Sequence, residues 1–176
     1  MAFDGSAAYK LLDKSLYPTR DEPLPMSAIG DYPILSAVHR AWQGLCDPHP
    51  PARINPEDIP RHTLSHLLLV DLDYVAPNAV VRLAGTEVCA LYGGEMRGIS
   101  VFDFFGRDDA EIVLDTLLDV AAKGEPTLAK RAYVSVSGRP WRYTRLLLPY
   151  HPEGARCTRI VKVVEPATLE EMAADD

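Results

Sequence analysis

Arginine and tyrosine side chains recur together in two neighbouring stretches of this sequence that have the alternating pattern of strands. Arg131 and Tyr133 alternate with apolar residues in the first stretch, and Tyr143 and Arg145 share one face of the second. A guanidinium group beside an aromatic ring offers a forked donor and a π face, which suits a carboxylate or a phosphate. These four residues are therefore candidate ligand-binding residues.

Arginines and tyrosines on a sheet are also compatible with arrangements that bind no ligand. They could lie on a solvated face of a sheet, where the arginines pair with nearby acids or with the acidic C-terminal residues, and the sequence favours this arrangement. They could also form a docking surface for an acidic partner or a second subunit. In a small enzyme, Arg131 or Arg145 would hold an anionic substrate. However, no nucleophile, base and orienting group come together in the sequence, so no catalytic residue is predicted.

Histidine and cysteine residues do not complete a metal site in the sequence. His62 and His66 have the spacing of two ligands on one helical face, but no third ligand is evident and a strand is predicted to follow them. Cys46, Cys89 and Cys157 are an odd number at wide spacing, which fits neither a disulfide framework nor a zinc knuckle. We therefore predict no metal, reduced cysteines and a cytoplasmic location.

Composition and charge are those of one globular domain. The chain has 176 residues, 47% of them hydrophobic, and a formal net charge of −7. An acidic chain is a poor partner for nucleic acid or for an anionic membrane, and no apolar run approaches the roughly 18 residues of a membrane span. Residues 127–162 nevertheless hold eight basic residues and one acid, so positive charge is concentrated around the candidate residues.

Periodicity and turn residues predict the elements that position these side chains. The fold class is α+β: a five-stranded antiparallel sheet with helices on one face and a preceding N-terminal helix. Residues 1–32 are expected to form a flexible or loosely docked arm, residues 33–165 the domain, and residues 166–176 an acidic tail. The predicted helices are Pro33–Leu45, Glu87–Tyr92 and Asp109–Lys123, and the predicted strands are Leu67–Tyr74, Ala79–Leu83, Thr127–Ser137, Trp141–Tyr150 and Cys157–Val164.

This order of two strands, short helices, one longer helix and three strands resembles the PAS fold. Five stretches make the sequence similar to a bacterial family of stand-alone PAS-like proteins of unknown function, and the similarity extends from about residue 33 to residue 165. They are the first helix around Trp42 and residues 51–53, 56–60, 82–86 and 94–98.

The resemblance implies a non-catalytic sensory or regulatory module that binds a small molecule or a protein partner. Its pocket would lie between the sheet and residues 88–105, with Tyr92, Phe102 and Phe104 as candidate walls. Flavin photosensors of this fold use a cysteine with polar neighbours that Cys89 lacks, and haem sensors use a histidine that is absent from residues 109–123. The cofactor is therefore left unassigned.

The resemblance also implies a protein-interaction function as the alternative to ligand binding. An adaptor or a homodimer would assemble through the first helix and the sheet face, and the apolar stripe of Leu35, Val38 and Trp42 on that helix would then be exposed. No kinase, cyclase or DNA-binding element is recognisable in the flanking residues, so we expect any signal to pass through a partner protein.

Overall fold

A computed structural model describes residues 20–134 and 140–172, with backbone alone at residues 133 and 134. Within these residues the strands are β1 (Arg20–Leu24), β2 (Leu67–Asp73), β3 (Asn78–Ala84), β4 (Thr127–Val134), β5 (Pro140–Glu153), β6 (Arg156–Val164) and β7 (Glu170–Glu171). These seven strands form one antiparallel sheet, in the order β1-β4-β5-β6-β2-β3 with β7 beside β5. The pairing of β2 with β6 joins the leading hairpin to the three trailing strands, as predicted.

Four α-helices accompany the sheet in the described residues: α1 (Pro33–Leu45), α2 (Thr86–Tyr92), α3 (Val101–Phe104) and α4 (Arg107–Lys123). Local signals in the sequence set their ends. Proline occupies the first turn of α1, Ser100 caps α3 with its side chain, and Gly124 ends α4 in the left-handed conformation. The predicted mixed fold is confirmed, and the predicted bounds of α1 match the structure.

The front face of the sheet is the face covered by α2, α3 and α4. Helix α4 lies against this face through Leu114, Leu117 and Ala121, which are buried in one cluster with alternate residues of β2 and β6. The apolar stripe of α4 therefore packs against the sheet. This face provides the walls of the site described below.

The back face is covered by α1, the predicted N-terminal helix, whose side of the sheet the sequence did not specify. Leu35, Val38 and Trp42 are at most 6% exposed, because they pack against the other set of alternate residues of β5 and β6. The Trp42 indole Nε1 donates a hydrogen bond to the Pro149 carbonyl at 2.9 Å. The expectation of an exposed apolar stripe on this helix is therefore wrong, and these three side chains form part of the core.

The flanking segments are joined to the domain wherever the structure describes them. Strand β1 pairs with β4, and β7 pairs with β5, so residues 20–24 and 170–171 extend the sheet beyond the five predicted strands. The remainder of the expected arm and tail, residues 1–19 and 173–176, lies outside the described residues. Strand β1 has the sequence Arg-Asp-Glu-Pro-Leu, whose charges and proline are typical of an edge strand but not of a strand pattern in a sequence. The sequence therefore did not predict it.

None of the helices in residues 20–134 and 140–172 is long and apolar enough to cross a lipid bilayer. His62 and His66 lie in a short 3-10 helix, Arg61–His66, directly before β2. In the same described ranges, no three histidine, cysteine or acidic side chains come close enough together to hold a metal ion.

Candidate functional site

A cavity of about 70 Å³ lies inside the domain, between the front face of the sheet and the helical segment α2–α4. This volume is several times the ~10–15 Å³ that a single buried water needs. The cavity is lined mainly by aliphatic and aromatic side chains from the sheet, α4 and the segment before it. The aliphatic ones include Val70, Val81, Ile99, Val101, Val113 and Leu117.

Residues 96–100 close the side of the cavity next to β3. The Val81 amide donates to the Ile99 carbonyl at 3.0 Å, and the Gly98 amide donates to the Val81 carbonyl at 2.7 Å. Gly98 has a φ of 81°, which glycine adopts without strain, so the segment can turn back onto the strand. Gly85 allows the backbone to approach another segment closely, because a Cβ at this position would collide with the Ser65 carbonyl. Both glycines hold the helical segment against the sheet.

One end of the cavity is charged. Arg131 of β4 and Arg145 of β5 are 5% and 3% exposed, and both bind Asp21 of β1. The Asp21 carboxylate accepts from Arg131 Nη1 at 3.2 Å and from Arg145 Nη2 at 2.6 Å. Arg145 Nη1 also donates to the Thr127 hydroxyl and carbonyl oxygens, at 2.9 and 3.1 Å. Strand β1 thus supplies the counter-ion of two arginines from neighbouring strands.

A buried lysine lies at the same end of the cavity. Lys162 of β6, which is 9% exposed, donates from Nζ to the hydroxyl oxygens of Tyr92 and Tyr143, both at 2.6 Å. The two tyrosine hydroxyls are themselves 2.5 Å apart. Phe104 packs edge-on against the Tyr92 ring with 5.2 Å between centroids. This cluster links α2, β5 and β6 through one ammonium group.

Burial and neighbouring charges act on the acid–base properties of these groups. Burial would raise the pKa of Asp21, but Arg131 and Arg145 outweigh it and hold that pKa below its ordinary value. Burial lowers the pKa of Lys162, and the positive charge of Arg131 lowers it further. The pKa of Arg131 stays above its ordinary value despite burial, because Tyr143 and Asp21 stabilise the cation. The arginine therefore remains charged at any physiological pH.

Four of the predicted ligand-binding residues meet at the cavity. Tyr92, Phe104, Arg131 and Arg145 line it, and Tyr143 is buried beside it, where it contacts Lys162. The arginines pair with a local acid as expected, but the favoured expectation that they lie on a solvated face is wrong.

Two predicted residues do not contribute to the described cavity wall. Phe102 is 41% exposed and outside the lining, because a helix of one turn directs only Phe104 inward. The side chain of Tyr133 lies outside the described residues, although its backbone pairs with Trp141. Phe102 is therefore corrected from a cavity wall to a surface residue.

Sequence reasoning missed two residues of the site, Asp21 and Lys162. A signal for Lys162 was present, since it interrupts the run Ile160–Val164, whose apolar residues on both parities indicate a strand buried on both faces. No comparable signal existed for Asp21, which lies about 110 residues before Arg131 in an acidic, proline-containing stretch. Its role depends on a strand pairing that the sequence does not reveal.

A protein-family model matches most of the chain. The family model described as "PAS domain" matches residues 35–164. A solved structure titled an RNA-binding light-oxygen-voltage receptor is similar, with a TM-score of 0.40 and 16% identity over 58% of this chain and 30% of its own. None of the curated proteins matches the chain. With most of its length matched by the family model, the chain belongs to the PAS domain family, whose members are in general non-catalytic sensory and signalling modules.

Proposed function

We propose that this PAS domain is a non-catalytic sensor that binds a small molecule in the cavity on its front face and passes the signal to a protein partner. The observation that carries the proposal is the combination of a largely apolar cavity with a cluster of buried polar groups at one end. Pockets of this composition bind small molecules, because the apolar wall supplies affinity and a few polar groups fix orientation.

The buried charges support a binding site over a purely structural core. A lysine and two arginines are costly to bury, and an apolar core of the same volume is often at least as stable. Lys162, Arg131 and Arg145 all line the cavity, whereas the back face of the same strands is packed by aliphatic and aromatic residues. Charge is thus retained where a ligand could reach it.

Strand β1 offers a route by which the cavity could influence a partner. Asp21 connects the two cavity arginines to β1, which pairs with β4 at the end of the described sheet. A ligand that alters the charge around Arg131 would change how strongly Asp21 holds this strand. Part of the strand is exposed, and a partner protein could therefore detect the change there.

Native mass spectrometry of protein purified without denaturant tests the proposal. We expect the native mass to exceed the polypeptide mass by a small molecule that is released on denaturation. Val113→Phe should lower the bound fraction, because Val113 lines the cavity. Ile112→Phe is the matched control, since Ile112 is the preceding residue of α4 and is 52% exposed.

Two results would contradict the proposal. One is a native mass equal to that of the polypeptide. The other is equal retention by the Val113→Phe and Ile112→Phe proteins, which would place the molecule outside the cavity.

The adaptor alternative has lost the exposed stripe on α1 that it required, because Leu35, Val38 and Trp42 are buried within the chain.

A further inference from the structure

We propose that the ligand of this cavity is a small carboxylate with an apolar body, and that its carboxylate is held by Arg131 and Lys162. The inference rests on the proposed function, because it specifies the chemical class of the molecule that the cavity binds. It adds the identity of the anchoring residues, the polarity of the ligand and its orientation, with the apolar body towards Val113 and Leu117.

Charge at the polar end of the cavity is unbalanced. Among the described residues that line the cavity, three carry a positive charge, namely Arg131, Arg145 and Lys162, and one carries a negative charge, Asp21. The hydroxyls of Tyr92 and Tyr143 are hydrogen-bond partners of Lys162. Burial would raise the pKa of Tyr92, but the positive charges of Lys162 and Arg131 outweigh it and lower that pKa. Buried charges are stable when they are paired, so one further anion at this place would reduce the imbalance.

Hydrogen-bond donors at the same place are also unused. Arg131 Nε is buried and has no hydrogen-bond partner among the described residues. Such orphaned donors are rare in proteins and point to a missing ion, water or ligand. A charged lysine has three donors, and two of those on Lys162 are directed to Tyr92 and Tyr143. A carboxylate has two oxygens that accept hydrogen bonds, which matches one donor from each cation.

Arg145 is less suited to hold the ligand because its donors are engaged. Its Nη2 binds Asp21 at 2.6 Å, and its Nη1 binds both oxygens of Thr127. Arg131 makes a longer contact of 3.2 Å to the same carboxylate. An incoming anion would therefore bind Arg131 and Lys162 while Asp21 stays on Arg145.

The rest of the cavity selects the body of the ligand. Its aliphatic lining cannot replace the hydration of a second charged group, so a dicarboxylate or a sugar phosphate would incur a large desolvation cost. The volume of about 70 Å³ favours a small ring or a short branched chain over a large cofactor. Phe104 and Phe105 of the wall offer faces and edges for contact with an aromatic body.

Titrations of the full chain with three probes test the ligand class. Benzoate has the proposed charge and body, benzamide is its neutral analogue, and inorganic phosphate is an anion without an apolar body. Chemical shifts of cavity amides at constant ionic strength and neutral pH would give the three dissociation constants. We expect benzoate to bind at least about tenfold more tightly than either of the others, because charge-assisted hydrogen bonds are about twice as strong as neutral ones.

Two variants test the anchoring residues. Arg131→Lys keeps the charge that pairs with Asp21 but removes the Nε donor, and Lys162→Met leaves the two tyrosine hydroxyls bonded to each other. Each should weaken benzoate binding about tenfold or more and change benzamide binding less than about twofold. Arg82→Gln is the control for net charge, because Arg82 lies at the surface in a pair with Asp71. It should leave all three affinities unchanged, and the amide spectrum of each variant reports whether it folds.

Several results would overturn the proposal. They are equal binding of benzoate and benzamide, a preference for phosphate, benzoate affinity that survives both cavity variants, and no response of cavity amides to any probe. Equal binding of benzoate and benzamide would leave the proposed sensor function standing, because a small molecule would still bind in the cavity. In the other cases the mass-spectrometric test of a retained molecule decides separately whether the domain is a small-molecule sensor.

Discussion

The two faces of the central sheet are built from the same strands but differ in what they bury. On the back face, Leu146 and Leu148 of β5 and Val161 and Val163 of β6 pack against α1 as one apolar cluster. On the front face, the intervening positions place charged residues around a cavity. Since side chains alternate along a strand, neighbouring residues such as Val161 and Lys162 belong to opposite environments.

This difference separates the part of the domain that stabilises the fold from the part that could bind a ligand. Among the described residues, Glu165 is the buried charged residue next to the back-face cluster. Its carboxylate accepts hydrogen bonds from backbone amides at the start of α1. The front face retains charges that burial makes costly and that neighbouring groups satisfy incompletely. We therefore expect removal of the Lys162 charge from the front face and of the Glu165 charge from the back face to change the free energy of unfolding in opposite directions.

The largest loss is expected when the front face loses its counter-ion. Asp21→Asn leaves Arg131 and Arg145 without a carboxylate, and removal of one member of a buried ion pair costs about 3–5 kcal/mol in the free energy of unfolding. Urea denaturation at pH 7 measures the loss. Glu22→Gln, on the exposed side of the same strand, is the control and should stay within about 0.5 kcal/mol of the wild-type chain.

Acid should remove this effect of Asp21. Its pKa in the folded protein is below the ordinary value of 3.8, so its carboxylate contributes stability above that pH and the contribution is lost as the pH falls through the folded pKa. The difference between the wild-type chain and Asp21→Asn should therefore narrow below pH 3.8. A gap that stays constant down to about pH 2 would mean that the charge of Asp21 is not what stabilises the fold.

Adjacent leucines of β5 compare the packing of the two faces directly. Leu148 is fully buried on the back face, whereas Leu147 lines the cavity on the front. Truncation of a buried leucine to alanine costs about 2–5 kcal/mol, and the cost grows with the packing that is lost. We expect Leu148→Ala near the upper end of this range and Leu147→Ala near the lower end, as measured by urea denaturation. Equal losses would show that the front face is packed as tightly as the back.

Much of the fold could be predicted from the sequence because its signals are local. Proline and the apolar stripe of α1, the glycine after α4 and the alternation of β5 each depend on a few neighbouring residues. The side of the sheet that α1 covers was not predictable in this way, because the stripe of Trp42 fits either an exposed interface or a core.

The candidate site was predictable in part for the same reason. Aromatic residues of the helical segment and arginines of the strands stood out by type and spacing, and four of them line the cavity. Whether Arg131 is solvated or buried depends on Asp21, which reaches it through a strand far away in sequence. Long-range pairing of this kind leaves no periodicity in a single sequence.

A smaller effect, and a gain in stability, is expected when the front face loses its lysine. Lys162→Met removes a buried charge and leaves Tyr92 and Tyr143 hydrogen-bonded to each other, so the unfolding free energy should rise by about 1–4 kcal/mol at pH 7. Denaturation with urea measures the change. A loss of stability would instead show that the tyrosine hydroxyls fully compensate the buried ammonium group.

The pH dependence of this gain has a defined sign. The folded pKa of Lys162 lies below its ordinary value of 10.5, so the unfolded chain binds more protons between those two values and the wild-type chain gains stability as the pH rises. Tyr92, Tyr143, Arg131 and Asp21 face Lys162 from four different elements. The advantage of Lys162→Met should therefore shrink as the pH rises towards 10.5, whereas an advantage that grows would contradict the burial of a charged lysine.

The smallest effect is expected at the buried charge of the back face. Glu165 accepts from the amides of Ile34 and Leu35, at 2.8 and 3.3 Å, where the helix dipole of α1 favours a negative charge. Glu165→Gln keeps an accepting oxygen and loses the charge, so the unfolding free energy should fall by about 1–2 kcal/mol. Glu170→Gln, an exposed position of β7, is the control. Glu165→Gln should therefore lower the unfolding free energy, whereas Lys162→Met, three residues away, should raise it. Equal signs would remove the distinction between the two faces.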